Sequence, residues 1–135
     1  MSLPLSTQLR SVSWFTIIGA LAAIVHYVVA VTLESHSSLR PAWANLSGFL
    51  LAFPVSYLGH HYLSFSANQS SHLHALPRFL VVACSGFIAN QVLLLSLLYL
   101  LPLPFWLILG GVMVIVAVGT YLLSHYWAFS RQNGS

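Results

Sequence analysis

The sequence predicts an all-α integral membrane protein with four transmembrane helices, built from two tandem parallel hairpin repeats. Three observations carry that expectation. The first is composition: of 135 residues, 59% are hydrophobic and 4% charged, against roughly a quarter charged in an ordinary soluble domain. The second is that the apolar residues gather into four runs, each near the ~20 residues that carry a helix across a hydrocarbon core. The third is a match of the chain to itself at an offset of 64 residues.

The formal charges are Arg10, Glu34, Arg40, Arg78 and Arg131, with no Lys and no Asp. So few charges cannot cover a water-facing surface, and most of this surface must face lipid. The pI near 9.4 reflects a net charge of +3 spread along the chain without a basic cluster, which argues against a nucleic-acid partner. Cys84 stands alone in an apolar run and reads as a small membrane-helix residue. The first apolar run is long enough to span and lacks a small-residue cleavage motif after it, so it is expected to be retained.

The four runs cover residues 14–33, 43–62, 79–101 and 105–129. Residues 34–42 break the first pair, the polar stretch 64–77 separates the pairs, and Leu101-Pro102-Leu103-Pro104 breaks the second pair, where proline stops one helix and starts the next. The expected organisation is a single membrane domain over 1–135, with repeat 1 at about 10–66 and repeat 2 at about 74–130. An even number of spans puts both termini and the middle loop on one side. That side carries Arg10, Arg78 and Arg131 against Arg40 opposite, so the positive-inside rule makes it cytoplasmic. Trp14, Trp43, Trp106 and Trp127 fall near the span ends, where amphipathic rings favour the headgroup layer.

The self-match is best where each hairpin ends. Residues 57–66 lie over residues 121–130 with six of ten positions identical, among them Tyr57/Tyr121, His61/His125 and Phe65/Phe129. A bias toward apolar residues would not by itself repeat a histidine. The same offset pairs Phe15 with Phe79 and His26 with Asn90. Two spans per repeat give both copies the same orientation, related by an axis along the membrane normal, and sites tend to lie where equivalent elements meet.

Tyr57, His61 and Phe65 follow i, i+4, i+8 spacing, as do Tyr121, His125 and Phe129, which puts each trio on one helix face. Counted from Trp43, His61 lies ~27 Å along its helix, near the cytoplasmic interface. An imidazole there donates hydrogen bonds when neutral and attracts anions when charged, so His61 and His125 are candidate phosphate ligands. Interfacial anchoring of the helix ends is the alternative. His60, whose counterpart is Ser124, is a lesser candidate. Arg78 is expected to open the third helix, where free backbone N–H groups and the dipole add attraction for an anion. His26 and Asn90 fall ~18 Å into their spans. A polar group at that depth lines a polar path or hydrogen-bonds a neighbouring helix.

Pro54 and Gly119, at nearly matching offsets, are candidate hinges. Gly19-x-x-x-Ala23 and Gly48-x-x-x-Ala52 have the small-residue spacing of close helix packing. There is no Gly-rich phosphate loop and no His-Glu-x-x-His run. With no carboxylate pair or nucleophile–base constellation in the spans either, the sequence offers no catalytic residue, no metal site and no cofactor, and an enzyme is not expected.

Four short spans, Arg78-Phe79 at the start of the third, and hairpins that each end in an aromatic-basic-aromatic run closed by Phe resemble the GtrA-like family. The sharpest pieces are residues 55–65 and 123–129, and the resemblance covers nearly the whole chain. Many members carry Asn-Arg before the last aromatic run, where this chain has His60-His61 and Ser124-His125. The resemblance implies translocation of a polyprenyl-phosphate-linked sugar across the bacterial inner membrane, for synthesis or modification of envelope polysaccharide. A sugar-phosphate head cannot cross ~30 Å of hydrocarbon without replacement partners for its lost water. Four helices with so few polar residues hardly enclose such a path, so a homo-oligomer, foremost a dimer, is expected. The competing expectation is a non-transporting adaptor that holds a glycosyltransferase or another envelope protein. A proton-coupled exporter ranks last, because its intramembrane carboxylate is missing: Glu34 lies near the outer end of the first span.

The orientation is directly testable. An impermeant thiol reagent applied from outside should label Ser37→Cys and miss Ser70→Cys, and the reverse pattern would overturn the assignment of sides.

Overall fold

A computed structural model describes residues 4–64 and 72–132. The described chain is all-helical: α1 spans Leu5–His36, α2 Pro41–Gly59, α3 His72–Leu100 and α4 Phe105–Gln132, and α2 runs on into a π-helical turn, His60–Ser64. Three stretches are long and apolar enough to cross a membrane: Ser13–His36, Phe79–Leu100 and Phe105–Leu122. The chain is therefore a multi-pass membrane protein. The second predicted span is a helix of 19 residues, ~28 Å long, yet it falls short of the apolarity of the other three. Its interior holds Asn45, Ser47, Pro54 and Ser56.

Helices and apolar runs do not share boundaries. The first helix starts well before the apolar run at residue 14, and the third starts at His72 inside the stretch expected to be a break at 64–77. Hydropathy marks where hydrocarbon is tolerated, whereas a helix continues wherever its backbone bonds close, in headgroups and water alike. A 32-residue α1 is ~48 Å long and outreaches the hydrocarbon on any path. For the same reason Arg78 does not open its helix as expected: it lies six residues after His72, past the first turn with its free N–H groups.

The breaks are local chemistry. Ser37 takes an extended conformation after α1 and its N–H donates to the Leu33 carbonyl at 3.1 Å. The Ser37 hydroxyl donates to the same oxygen and accepts from the Leu39 N–H. Pro41 occupies the first turn of α2, and the carbonyl of Arg40 accepts the N–H groups of Trp43 and Ala44, both at 3.0 Å. Pro104 plays the matching part for α4, its carbonyl accepting from Leu107 and Ile108. Proline suits these places because the N–H it lacks would have no helical acceptor.

The chain forms two compact units, Met1–Cys84 and Ser85–Ser135. In the first, α1 and α2 pack as an antiparallel hairpin along a seam of small residues. On α1 the seam is Ile18, Ala22, His26 and Ala30, and on α2 it is Ala44, Asn45, Gly48 and Ala52, all but His26 buried. The α1 set and Ala44, Gly48 and Ala52 of α2 repeat every four residues, the ridge that lets helices interdigitate, and Asn45 lies beside the second ridge. Gly48 is required there: a Cβ at 48 would stand 2.5 Å from the His26 carbonyl oxygen and 3.2 Å from the Ala30 Cβ. Gly59 is pressed likewise onto Ile18. Of the two small-residue pairs, Gly48/Ala52 lies in this seam, but Gly19/Ala23 does not. Gly19 has open space around it and Ala23 is exposed, because the helical period turns them away from the face that Ala22 and Ala30 define.

In the second unit each helix carries one buried stripe, Asn90 and Leu94 on α3 and Phe105, Ile108, Leu109 and Val112 on α4. Many other large apolar side chains, among them Val92, Val114, Ile115 and Val118, are exposed, as lipid contact requires.

Overpacking the seam should separate the helices. Gly48→Leu is expected to lower stability by about 1–3 kcal/mol while Gly19→Leu changes it little. Thermal unfolding of both variants in detergent reads the difference, and equal melting temperatures would show that the seam is misplaced.

Candidate functional site

The polar residues of the first unit collect at two levels of the α1–α2 hairpin. The deeper level is a pair. The ring Nε2 of His26, midway along α1, lies 2.7 Å from Oδ1 of Asn45, the imidazole N–H donating to the amide oxygen. Asn45 is fully buried. A polar group this deep in an apolar hairpin is costly unless paired, and here the helix-to-helix bond supplies the partner. Asn45 did not stand out in the sequence because the 64-residue offset sets it against Leu109, so the repeat gives it no signal. Its polarity inside an otherwise apolar run was the available clue. Ser47, two residues on, satisfies its hydroxyl within its own helix, donating to the Trp43 carbonyl at 2.9 Å.

The second level is the end of α2. Phe49, Phe53, Tyr57 and His61 recur every four residues and form a ladder of rings along one face. Phe53 and Tyr57 are nearly parallel, with centroids 6.3 Å apart and planes 5° apart. Tyr57 in turn stacks on His61, at 5.7 Å and 19°, and His61 meets Tyr62 edge-on at 4.9 Å. His60 points elsewhere on the helix. Its ring lies 4.6 Å from Phe15 of α1 and 5.9 Å from Phe79 of α3, and only 6% of the residue is exposed. Phe79 also covers Tyr57 and Phe53, each at 5.6 Å.

The structure thus brings together Tyr57, His60 and His61 of the predicted residues. His60, ranked lowest in the sequence, is the histidine that three helices enclose, and the two phenylalanines paired by the offset are the ones that flank it. Sequence spacing could not reveal this, because His60 lies off the Tyr57/His61 face and meets its neighbours only across helices. His26 is held apart at the deeper level. Asn90 is buried and Tyr121 is 65% exposed, both in the second unit. The side chains of Arg78 and His125 lie outside the described residues. Among the described residues no three His, Cys, Asp or Glu side chains group as a metal site would require.

Chemically, the end of α2 offers two imidazoles, each able to donate a hydrogen bond to a phosphate oxygen, and flat ring faces of the kind on which the apolar faces of sugars stack. The π-turn begins at His60. Such turns loosen the regular ladder of backbone bonds and recur at functional sites.

The deeper pair can be weighed by a double-mutant cycle. Combining His26→Leu with Asn45→Leu should give a coupling energy of about 0.6–1.7 kcal/mol, the range of hydrogen bonds between membrane helices. Additive losses in detergent unfolding would mean that the two residues do not act together.

No curated protein and no solved structure matches the chain. The sequence profile described as "GtrA/DPMS, transmembrane domain" matches residues 14–129, which takes in α1 from Trp14, all of α2 and α3, and α4 as far as Phe129. The expected family resemblance is thereby met, and the chain belongs to the GtrA/DPMS transmembrane domain family.

Proposed function

We propose that the chain translocates a polyprenyl-phosphate-linked sugar across the bacterial inner membrane, taking up the head group at the end of α2. Family membership implies a role in lipid-linked sugar or polysaccharide modification, and transmembrane proteins of this family are generally not catalytic. The observation that carries the finer reading is the gathering of Tyr57, His60 and His61 under flanking rings at one end of a membrane hairpin. Phosphate oxygens accept from the imidazoles, sugar faces stack on rings, and the polyprenyl tail stays in lipid beside the exposed apolar faces. Arg78, His125, Tyr121, His26 and Asn90 are the further residues we propose to contact the lipid-sugar during its passage.

We take the working unit to be a homodimer with both termini cytoplasmic, since one chain has too few polar groups to shelter a sugar phosphate across the whole hydrocarbon. Flow is facilitated, drawn by consumption of the lipid-sugar outside. Two tandem hairpin repeats related by an axis along the membrane normal account for the repeated histidine and tyrosine.

The purified protein in liposomes with a polyprenyl-phosphate sugar should speed its appearance in the outer leaflet. No acceleration over empty liposomes would leave the adaptor for a glycosyltransferase as the better reading. His61→Ala and Arg78→Ala should each weaken lipid-sugar binding roughly tenfold, equivalent to ~1.4 kcal/mol. The same affinity in a His61→Ala/His125→Ala variant would return both residues to the role of interfacial anchors.

A further inference from the structure

His60 is a hydrogen-bonding side chain closed off by rings from two other helices. Phe15 covers it from α1 at 4.6 Å and Phe79 from α3 at 5.9 Å. The two covers differ in how they are held. Phe15 belongs to the α1–α2 hairpin, whose seam is tight enough that Gly48 and Gly59 admit no Cβ. Phe79 is joined to α2 through its contacts with Phe53, Tyr57 and His60, and these are ring contacts, which slide and part without stranding a polar group.

The backbone next to Phe79 also carries the internal proline of α3. Pro77 lies inside the helix two residues before it, with an exposed ring. Proline cannot donate the bond that a helix residue at 77 would give to the carbonyl of Leu73, and its ring crowds that carbonyl, so a helix bends most easily there. On the other side of the cluster α2 gives way to the π-turn that begins at His60. Both irregularities border the contact of Phe79 with His60.

We propose that Phe79 is a lid over His60, swinging on Pro77, and that a phosphate-bearing head group reaches the imidazole only when this ring lifts. The inference deepens the proposed function, on which the identity of the incoming group rests; the lid itself does not depend on it. Lifting Phe79 uncovers in one movement the imidazole and the Tyr57 ring face, one a donor for phosphate oxygens and the other a platform for a sugar. Closing it returns the imidazole to an apolar enclosure after the head group has left.

The test uses the full chain in liposomes without any sugar lipid. Diethyl pyrocarbonate acylates accessible imidazoles, and peptide mass spectrometry reads His60 separately, with exposed His36 as the internal reference. Phe79→Ala, which removes the covering ring, should raise the His60 rate relative to His36 by roughly fivefold or more. Pro77→Ala, which restores the missing donor, should lower it by shrinking the open population. A His60 rate unchanged in either variant overturns the lid, and so does a rise in Pro77→Ala. A second arm adds a polyprenyl-phosphate sugar and follows transport. If the His60 rates shift as expected while wild type transports nothing, the lid stands and the translocase reading fails. If wild type transports and the His60 rates do not move, the translocase reading stands and the lid fails.

Discussion

The close approach of α1 and α2 at Gly48 is the constraint on which the described site depends. Within lipid there is little hydrophobic gain in bringing two helices together, so packing contact and interhelical hydrogen bonds must hold them. Gly48 lets the α2 backbone settle onto His26 and Ala30, and that approach is what puts Asn45 within 2.7 Å of the His26 ring. The same register lays Gly59 on Ile18 and His60 beside Phe15. A slip of one turn, ~5.4 Å, would break all of these contacts together. The small residues and the buried polar pair therefore specify one alignment of the hairpin, and the ring cluster inherits its geometry from it.

The helix that carries the ladder of rings is not among the three stretches long and apolar enough to cross a membrane. Asn45 and Ser47 lower the apolar character of α2, and each is satisfied, one across the seam and one by its own backbone. Farther along, Phe49, Phe53, Tyr57 and His61 turn one face of α2 into a ladder of rings that ends in imidazole. A helix enclosed by neighbours can bear such groups, whereas one fully exposed to lipid cannot without leaving them unpaired. The three candidate spans expose Val, Leu and Ile side chains, and α2 does the same at Leu50, Leu51 and Leu58.

Particular residues mark where sequence reasoning reached and where it stopped. The prolines at 41 and 104 start helices as their chemistry requires, and the family was legible from residues 55–65 and 123–129. Arg78 stands inside its helix because the backbone is already bonded from His72, upstream of the apolar run. Gly19 and Gly48 are equivalent as motifs, yet only Gly48 faces a partner helix. Asn45 has an apolar counterpart, Leu109, at the 64-residue offset, so the repeat carries no trace of its bond to His26.

By itself the sequence determined the membrane class, the proline-marked helix starts and the family, because these follow from composition, proline chemistry and short-range spacing along one chain. It could not decide which histidine is enclosed. His60 and His61 are adjacent and alike in composition, but one helical step of ~100° separates their directions. What lies in each direction belongs to other helices. The tertiary structure decided it through the Gly48 seam, which sets His60 against Phe15, and through Phe79, which arrives from α3 to cover the other side. Side-chain identity is local, whereas enclosure is a property of neighbours brought together from distant parts of the chain.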